Sequence, residues 1–272
     1  PQNFVAMLAE IRRWGKFGMI PALNARRYPN RTAIIDDDGE ITFAELDEAA
    51  HAVANGLRNK GVRGGDGVAL LIRNHRWFLI AFYAAARTGA RIILLNSEFS
   101  GPQIKEVSER EGAKLIIHDD EYSGAVSAAD PPLGKLRALP TNPDKDGPSE
   151  STDETLADLI KRSRKEAPPK SDKHAKIIIL TSGTTGAPKG ATLTHDNIVN
   201  NANFVTAAMN FSPDDRLCIP VPLYHCFGMV MGSLGCVTKG AAMVFPGEGF
   251  DPRATLNAVA AGIKEVRELL QE

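Results

Sequence analysis

The stretch IIILTSGTTGAPKG, residues 177–190, joins an apolar run to a loop rich in glycine and hydroxyl groups. The apolar run has the length and the β-branched composition of a buried strand. Three glycines in the loop permit sharp backbone bends that bring amide N–H groups close to a polyanion. Four hydroxyl groups can donate to phosphate oxygens or ligate Mg²⁺, and Lys189 adds a positive charge. The stretch therefore predicts a phosphate-binding loop after a strand, and a plain flexible turn is the alternative.

Several other motifs are excluded or given ordinary interpretations. A Walker A loop needs glycine immediately before the lysine, and this chain has Pro188 there. The glycines within residues 61–67 follow a predicted helix instead of a strand, so they do not form a dinucleotide fingerprint. No Gly-x-Ser-x-Gly sequence is present, which disfavours a serine hydrolase. The acidic residues 36–40 lack the spacing of a calcium loop, and Asp38-Gly39 predicts a hairpin turn.

The residues before the loop alternate between helical periodicity and short apolar runs. Thr42 and Glu45 predict a capping box at the start of a helix, and Gly61 predicts its end. Apolar runs without in–out alternation, separated by helices, are typical of a parallel-rich sheet covered on both faces. We therefore predict an α/β fold. The strands predicted here are Val68–Ile72, Ile92–Leu95 and Lys114–Ile117, and the helices are Trp77–Arg87 and one opened by Ser100 and Gln103.

Composition divides the chain into three predicted parts. Residues 1–122 form an N-terminal α/β lobe, residues 123–173 a proline-rich linker, and residues 174–272 an incomplete lobe that carries the phosphate loop. Within the linker, Ser151 and Glu154 predict the capping box of one short surface helix. The last part continues with predicted strands Lys176–Thr181, Ala191–Thr194, Arg216–Val221 and Ala241–Phe245, and with helices over Asp196–Met209 and from Asp251-Pro252.

Charge and cysteine content limit the class of protein. The 272 residues carry 32 basic and 33 acidic side chains, a balance that excludes a nucleic-acid coat or a polybasic membrane binder. The three cysteines lack a CxxC spacing, which favours a reducing, cytoplasmic setting over a disulfide framework. Residues 217–238 contain no formal charge, but prolines and glycines interrupt them, so we interpret them as protein interior and predict no transmembrane segment. Peripheral membrane contact and the oligomeric state are left open.

The six histidines receive two interpretations. His225 lies in an apolar segment, and on its own such a histidine is more often a satisfied core residue than a catalytic one. The other five show no mutual spacing typical of a metal site, and we expect them to lie on the surface or to cap helices. They are His51, His75, His118, His174 and His195.

Residues 181–190 resemble the signature phosphate-binding loop of the adenylate-forming, or AMP-binding, superfamily, and the chain as a whole is most similar to fatty-acyl-CoA synthetases. The motif is long and specific, and further segments along most of the chain outside the linker are similar to landmarks of the same family. These segments are Arg31–Ile35, Ile41–Leu46, Gly65–Leu70, Leu193–Asn197 and Pro222–Gly228, the last similar to the family's acyl-pocket motif.

The resemblance implies activation of a medium- or long-chain fatty acid by ATP and Mg²⁺ to acyl-AMP, followed by transfer to coenzyme A. His225 would border the acyl channel near the reacting carboxylate, and Thr184 would ligate Mg²⁺. The residues that would contact phosphates are Thr181, Ser182, Gly183, Thr184, Thr185, Gly186 and Lys189. Nothing after residue 252 resembles the family's later motifs, so we expect an N-terminal portion that is inactive alone. Another acyl- or aryl-adenylating enzyme and a catalytically silent phosphate-binding fragment are the alternatives.

Overall fold

Two β-sheets organise the part of the chain described by the structure, a computed structural model covering residues 2–139, 153–163, 176–181, 188–247 and 249–269. One sheet has six strands in the order β6-β5-β3-β4-β7-β8, and the other has four in the order β2-β1-β10-β9. The strands are β1 (Thr32–Asp36), β2 (Gly39–Thr42), β3 (Gly67–Leu71), β4 (Arg91–Leu94), β5 (Ala113–His118), β6 (Lys135–Arg137), β7 (Lys176–Thr181), β8 (Lys189–Leu193), β9 (Arg216–Cys218) and β10 (Ala242–Val244).

Helices pack around both sheets, so the predicted α/β class with parallel-rich sheets is confirmed. The α-helices are α1 (Gln2–Gly18), α2 (Ile20–Arg27), α3 (Phe43–Asn59), α4 (Arg76–Thr88), α5 (Gly101–Arg110), α6 (Ser123–Val126), α7 (Leu156–Ser163), α8 (His195–Ala208), α9 (Gly235–Lys239) and α10 (Pro252–Leu269). A 3₁₀ turn covers Asp120–Tyr122, and a π-helix covers Phe227–Leu234. The sequence analysis did not predict α1, α2 or the π-helix.

The six-stranded sheet is parallel from β6 to β7 and ends in one antiparallel strand, β8. All five residues of β3 are buried, because β3 lies between β4 and β5 and helices cover both of its faces. This double cover explains why the sequence of β3 is continuously apolar instead of alternating. The parallel arrangement brings the carboxyl ends of β3, β4, β5 and β7 to one edge of the sheet.

The four-stranded sheet begins with the predicted hairpin. Strands β1 and β2 are antiparallel, and Gly39 takes a φ of +95° in the turn, a conformation that glycine adopts without a steric penalty. Strand β1 then pairs in parallel with β10, which joins Ile34 to Met243 across the sheet. The two sheets therefore combine strands from distant parts of the sequence.

Two predicted helix starts are confirmed by their capping bonds. The amide of Glu45 donates to Thr42 Oγ1 at 3.2 Å, and the amide of Thr42 donates to Glu45 Oε2 at 2.7 Å, which satisfies two otherwise unpaired N–H groups at the start of α3. Ser100 and Gln103 form the same box at the start of α5. Helix α3 ends before Gly61, whose φ is +108°.

The segment predicted as a linker contributes to both the sheet and the core. Residues Lys135–Arg137 form an edge strand paired in parallel with β5, which the sequence analysis did not predict. The predicted short helix is present as α7, but its capping box uses Thr155 and Asp158, and Ser151 lies outside the described residues. Leu159 is buried in α7 against Gly56 of α3. The division of the chain at residues 122 and 173 stays a prediction, and both sheets contain strands from each side of it.

The expectation for the histidines outside residue 225 is wrong for His118 and for His195, and holds only in part for His75. His118 is fully buried, and its Nδ1 lies 2.9 Å from the carbonyl oxygen of Asp119, so it is neither a surface nor a capping residue. His75 occupies the N-cap position of α4, but its buried side chain makes no capping bond and contacts Asp119 instead. His195 is the first residue of α8 and is also buried, where Nδ1 accepts from the amide of Phe17. His174 lies outside the described residues.

No helix within the described ranges is long and apolar enough to cross a membrane. The uncharged stretch 217–238 forms the end of β9, the π-helix and most of α9, and many of its apolar side chains are buried, as the sequence analysis predicted.

A partly buried ion pair connects β1 to the start of α4 and predicts a dependence of stability on pH. Asp36 accepts hydrogen bonds from the backbone amide of Arg76 at 2.9 Å and from its guanidinium. Burial by itself raises the pKa of Asp36, but the hydrogen bonds and the charge of Arg76 outweigh that effect and lower the pKa. The ionised carboxylate therefore stabilises the fold above the pKa of the unfolded chain, and this contribution is lost as the pH falls through the folded pKa.

We expect the free energy of unfolding of the wild-type chain to fall more steeply than that of Asp36→Asn as the pH is lowered from about 5 to about 3. Urea unfolding at several pH values measures both slopes. The matched control is Asp37→Asn, since Asp37 is the exposed neighbour of Asp36 and should keep the wild-type slope. Equal slopes for wild type and Asp36→Asn would contradict the role assigned to this carboxylate.

Candidate functional site

The predicted phosphate loop connects the last two strands of the six-stranded sheet. Thr181 is the last residue of β7 and lies in register with Lys189, the first residue of β8. Five registered pairs join the strands, so both ends of the loop are fixed at the carboxyl edge of β7. In sheets with parallel strands, this edge is where ligands bind. Of the predicted phosphate contacts, Ser182, Gly183, Thr184, Thr185 and Gly186 lie outside the described residues.

At the C-terminal end of the loop, a charged residue is followed by a tightly packed glycine. Lys189 is exposed. At the next residue, Gly190, a Cβ atom would lie 2.9 Å from Ile178 Cγ2 and from Glu111 Oε1, so a side chain there would force these two side chains to shift. A glycine at this position therefore allows β8 to pair closely with β7 and to present Lys189 beside the loop.

His225 lies in a compact turn after β9. Its backbone amide donates to the carbonyl of Pro222 at 3.2 Å, and its carbonyl accepts from the amide of Met229 at 2.9 Å. The side chain is exposed, and Nδ1 accepts from the amide of Phe227 at 3.4 Å. A neutral imidazole that accepts at Nδ1 carries its proton on Nε2. His225 can therefore donate a hydrogen bond from Nε2 to an anionic oxygen.

Gly228 fixes the shape of this turn. A Cβ atom at this position would overlap the carbonyl oxygen of Pro222 and would lie 2.8 Å from that of Val221. The π-helix that starts at Phe227 follows directly, and π-helical turns occur frequently at functional sites. The backbone of residues 221–228 is thus folded onto itself around the residue that the sequence analysis selected.

The structure places the two predicted site elements on different sheets and connects them through a residue that the sequence analysis missed. The loop connects β7 and β8 of the six-stranded sheet, whereas the His225 turn follows β9 of the four-stranded sheet. Asn74, in the turn after β3, is hydrogen-bonded to the backbone of Val221 and Leu223. The available signal was the place of Asn74, a polar residue shortly after a buried strand. Asn74 belongs to no recognisable motif, so this signal alone did not identify it.

The described residues contain no cluster of side chains that would by itself form a metal site. Among them, no group of three or more His, Cys, Asp or Glu side chains is placed to hold a metal ion. Thr184, the predicted Mg²⁺ ligand, lies outside the described residues. Since Mg²⁺ in nucleotide sites is held largely by substrate phosphates and water, one or two protein oxygens are sufficient for it.

Comparisons with known proteins agree with the motifs. A putative acyl-CoA synthetase, YngI of Bacillus subtilis, is 34% identical over 267 residues, which cover 89% of this chain and 48% of that protein. A feruloyl-CoA synthase of an Amycolatopsis species is 33% identical over 242 residues, covering 89% and 46%. The crystal structure of ATP-bound MatB from Rhodopseudomonas palustris superposes with a TM-score of 0.72 at 27% identity, covering 88% of this chain and 48% of MatB.

The chain spans about half the length of the curated relatives it matches. Residues 22–266, nearly the whole chain, match the family described as AMP-binding enzyme. This match includes both the loop between β7 and β8 and the turn that carries His225. The chain therefore belongs to the AMP-binding enzyme family.

Proposed function

We propose that the full-length protein is an AMP-forming acyl-CoA synthetase that activates a medium- or long-chain fatty acid. In the first step, a carboxylate oxygen attacks the α-phosphorus of ATP, the bond from that phosphorus to the bridging oxygen breaks, and pyrophosphate leaves. In the second step, the thiol of coenzyme A attacks the acyl carbonyl and loses its proton, and AMP leaves with the bonding electrons. Mg²⁺ would accompany the triphosphate, with Thr184 as its expected ligand.

The observation that carries this proposal is the registered pair Thr181–Lys189, which closes the phosphate loop at the carboxyl edge of β7. A loop held at both ends can bind the departing β- and γ-phosphates, neutralise part of their charge with Lys189 and present the α-phosphorus in line with the carboxylate. The exposed His225 supplies a donor suited to the carboxylate or to a phosphate oxygen. Relatives named as acyl-CoA synthetase and feruloyl-CoA synthase support the same reaction class.

Aryl carboxylic acids are the second candidate substrate class. The similarity to a feruloyl-CoA synthase, at 33% identity, favours them. A catalytically silent phosphate-binding protein is the third candidate. The cytoplasmic setting and the inactivity of these 272 residues by themselves stay predictions.

We expect the full-length protein, supplied with ATP, Mg²⁺ and a fatty acid, to release AMP and pyrophosphate and to form acyl-AMP before coenzyme A is added. Chromatography of the nucleotides and mass spectrometry of the adenylate measure both products. A panel of octanoate, palmitate and ferulate separates the fatty from the aryl substrate class. Release of ADP and phosphate would contradict the adenylation reaction, and the absence of any nucleotide turnover across a broad panel would favour the silent protein.

A further inference from the structure

Asn74 lies at the carboxyl edge of the six-stranded sheet, in the turn between β3 and α4. Its side chain is buried, with 4% of the residue exposed. A buried amide needs partners for both its N–H and its carbonyl groups, because an unpaired polar group in the interior costs free energy. The partners of Asn74 belong to a segment about 150 residues away in the sequence.

The amide of Asn74 holds that segment from both of its ends. Nδ2 donates to the carbonyl of Val221 at 2.7 Å and approaches the carbonyl of Ile219 at 3.5 Å. Oδ1 accepts from the backbone amide of Leu223 at 2.9 Å. The side chain thus pairs with the segment in the way that a neighbouring strand would.

The held segment has a reduced capacity for its own backbone hydrogen bonds. Pro220 and Pro222 carry no N–H group, so two of the five residues from Ile219 to Leu223 cannot donate. Immediately afterwards, the carbonyl of Pro222 accepts from the amide of His225. The position of the His225 turn therefore depends on the anchoring of residues 221–223.

The sheet provides a continuous path from Asn74 to the phosphate loop. Val68 of β3 is in register with Ile92 of β4, which is in register with Ile177 of β7. Strand β7 ends at Thr181, where the loop begins. Asn74 therefore connects the sheet that carries the loop to the turn that carries His225.

We propose that Asn74 is a positioning residue that fixes His225 relative to Thr181 and Lys189, the described ends of the phosphate loop. This inference rests on the function proposed above, and it assigns Asn74 no contact with substrate. If His225 is displaced while the loop stays on β7, the chemical step slows but ATP still binds. We therefore expect a lower kcat for adenylate formation with little change in the KM for ATP.

A double-mutant cycle on the full-length protein tests this assignment. We expect Asn74→Ala to lower kcat for acyl-AMP formation about 10- to 100-fold when His225 is present, since a misplacement of about 1 Å can cost two orders of magnitude. In a His225→Ala background we expect the same change to lower kcat less than about twofold, because residues that act through one another are not additive. Equal factors in the two backgrounds would overturn the proposal and indicate a general structural effect.

A matched control and a second variant separate positioning from loss of folding. Asn24 is buried and also donates from Nδ2 to a backbone carbonyl, that of Val237, between α2 and α9. We expect Asn24→Ala to leave kcat within about twofold of wild type while costing similar thermal stability, since each variant loses buried hydrogen bonds. Asn74→Asp keeps the volume and the acceptor for Leu223, but it places a buried carboxylate oxygen against the carbonyl oxygens of Val221 and Ile219. We therefore expect a loss of kcat at least as large as that of Asn74→Ala, with the same dependence on His225.

Hydrogen exchange provides a readout without turnover. We expect the amide of Leu223 to exchange faster in Asn74→Ala than in wild type or in Asn24→Ala, because its acceptor has been removed. Unchanged exchange at Leu223 would overturn the proposal. If wild type forms no acyl-AMP with any carboxylate, the proposed function fails and the positioning role fails with it. If wild type is active and Asn74→Ala matches it, only the positioning role fails.

Discussion

Replacement of Lys189 by alanine in the full-length protein is expected to slow acyl-AMP formation by about two orders of magnitude or more. Lys189 is exposed at the first residue of β8, in register with Thr181 at the other end of the loop. The pyrophosphate that leaves gains charge as its bond to the α-phosphorus breaks, and a fixed cation beside it stabilises that charge most in the transition state. Both kcat and kcat/KM for ATP should therefore fall.

Two further lysine variants make this test specific. Lys189→Arg keeps the positive charge and should recover part of the rate, although a planar guanidinium does not reproduce the point charge of an ammonium group. Lys176→Ala removes an exposed lysine from the opposite end of the same pair of strands and should leave the rate near wild type. A pyrophosphate-release assay measures all three. A wild-type rate in Lys189→Ala would show that the charge is not aimed at the triphosphate.

A methyl group added at Gly228 is expected to lower the rate of acyl-AMP formation about 100-fold. The expected cause is a distortion of the backbone, since the substitution removes no functional group. The Cβ of Gly228→Ala would overlap the carbonyl oxygen of Pro222, which is the acceptor for the amide of His225. Because the opposing atoms belong to the main chain, no side-chain rotation can relieve the overlap. The turn must open, which moves His225 and costs about 1–3 kcal/mol of stability, as overpacked sites typically do.

The control for this substitution is Gly124→Ala. Gly124 lies in α6 with open space around the position of an added Cβ, and alanine suits a helix better than glycine. We expect wild-type activity and equal or slightly higher thermal stability. Steady-state adenylation rates and thermal unfolding of the two variants provide the comparison. A fully active Gly228→Ala would mean that the turn at His225 is not a rigid part of the site.

The strands that the sequence predicted best are those whose burial leaves a local signature. Val68 to Ile72 and Ile92 to Leu95 are continuously apolar because helices cover both faces of the sheet. Each observed strand begins and ends one residue earlier than predicted. Strand β6 leaves no such signature, since only Leu136 of its three residues is buried and charged side chains flank it. The neighbours of each strand were also beyond prediction, because the pairing of β1 with β10 depends on residues far apart.

The candidate site shows the same contrast between local and distant information. The loop from Thr181 to Gly190 and the turn at His225 could be proposed from the sequence because the residues of each candidate element are consecutive. Asn74 could not, since its partners Val221 and Leu223 become neighbours only after both sheets have formed. The buried position of His118 was missed for a related reason. The sequence around a histidine at the end of a strand does not indicate whether its side chain is buried or exposed.

The pairing of β1 with β10 has a consequence for the order in which the protein assembles on the ribosome. Ile34 and Ile35 leave the exit tunnel about two hundred residues before their partners Met243 and Val244. At about 5–20 residues per second, the β1–β2 hairpin waits about 10–40 s with one apolar edge unpaired. An open apolar edge is a template for pairing with other chains. Nascent chains stalled before Met243 and Val244 have left the exit tunnel should therefore depend on chaperones more than chains stalled after these residues have left it.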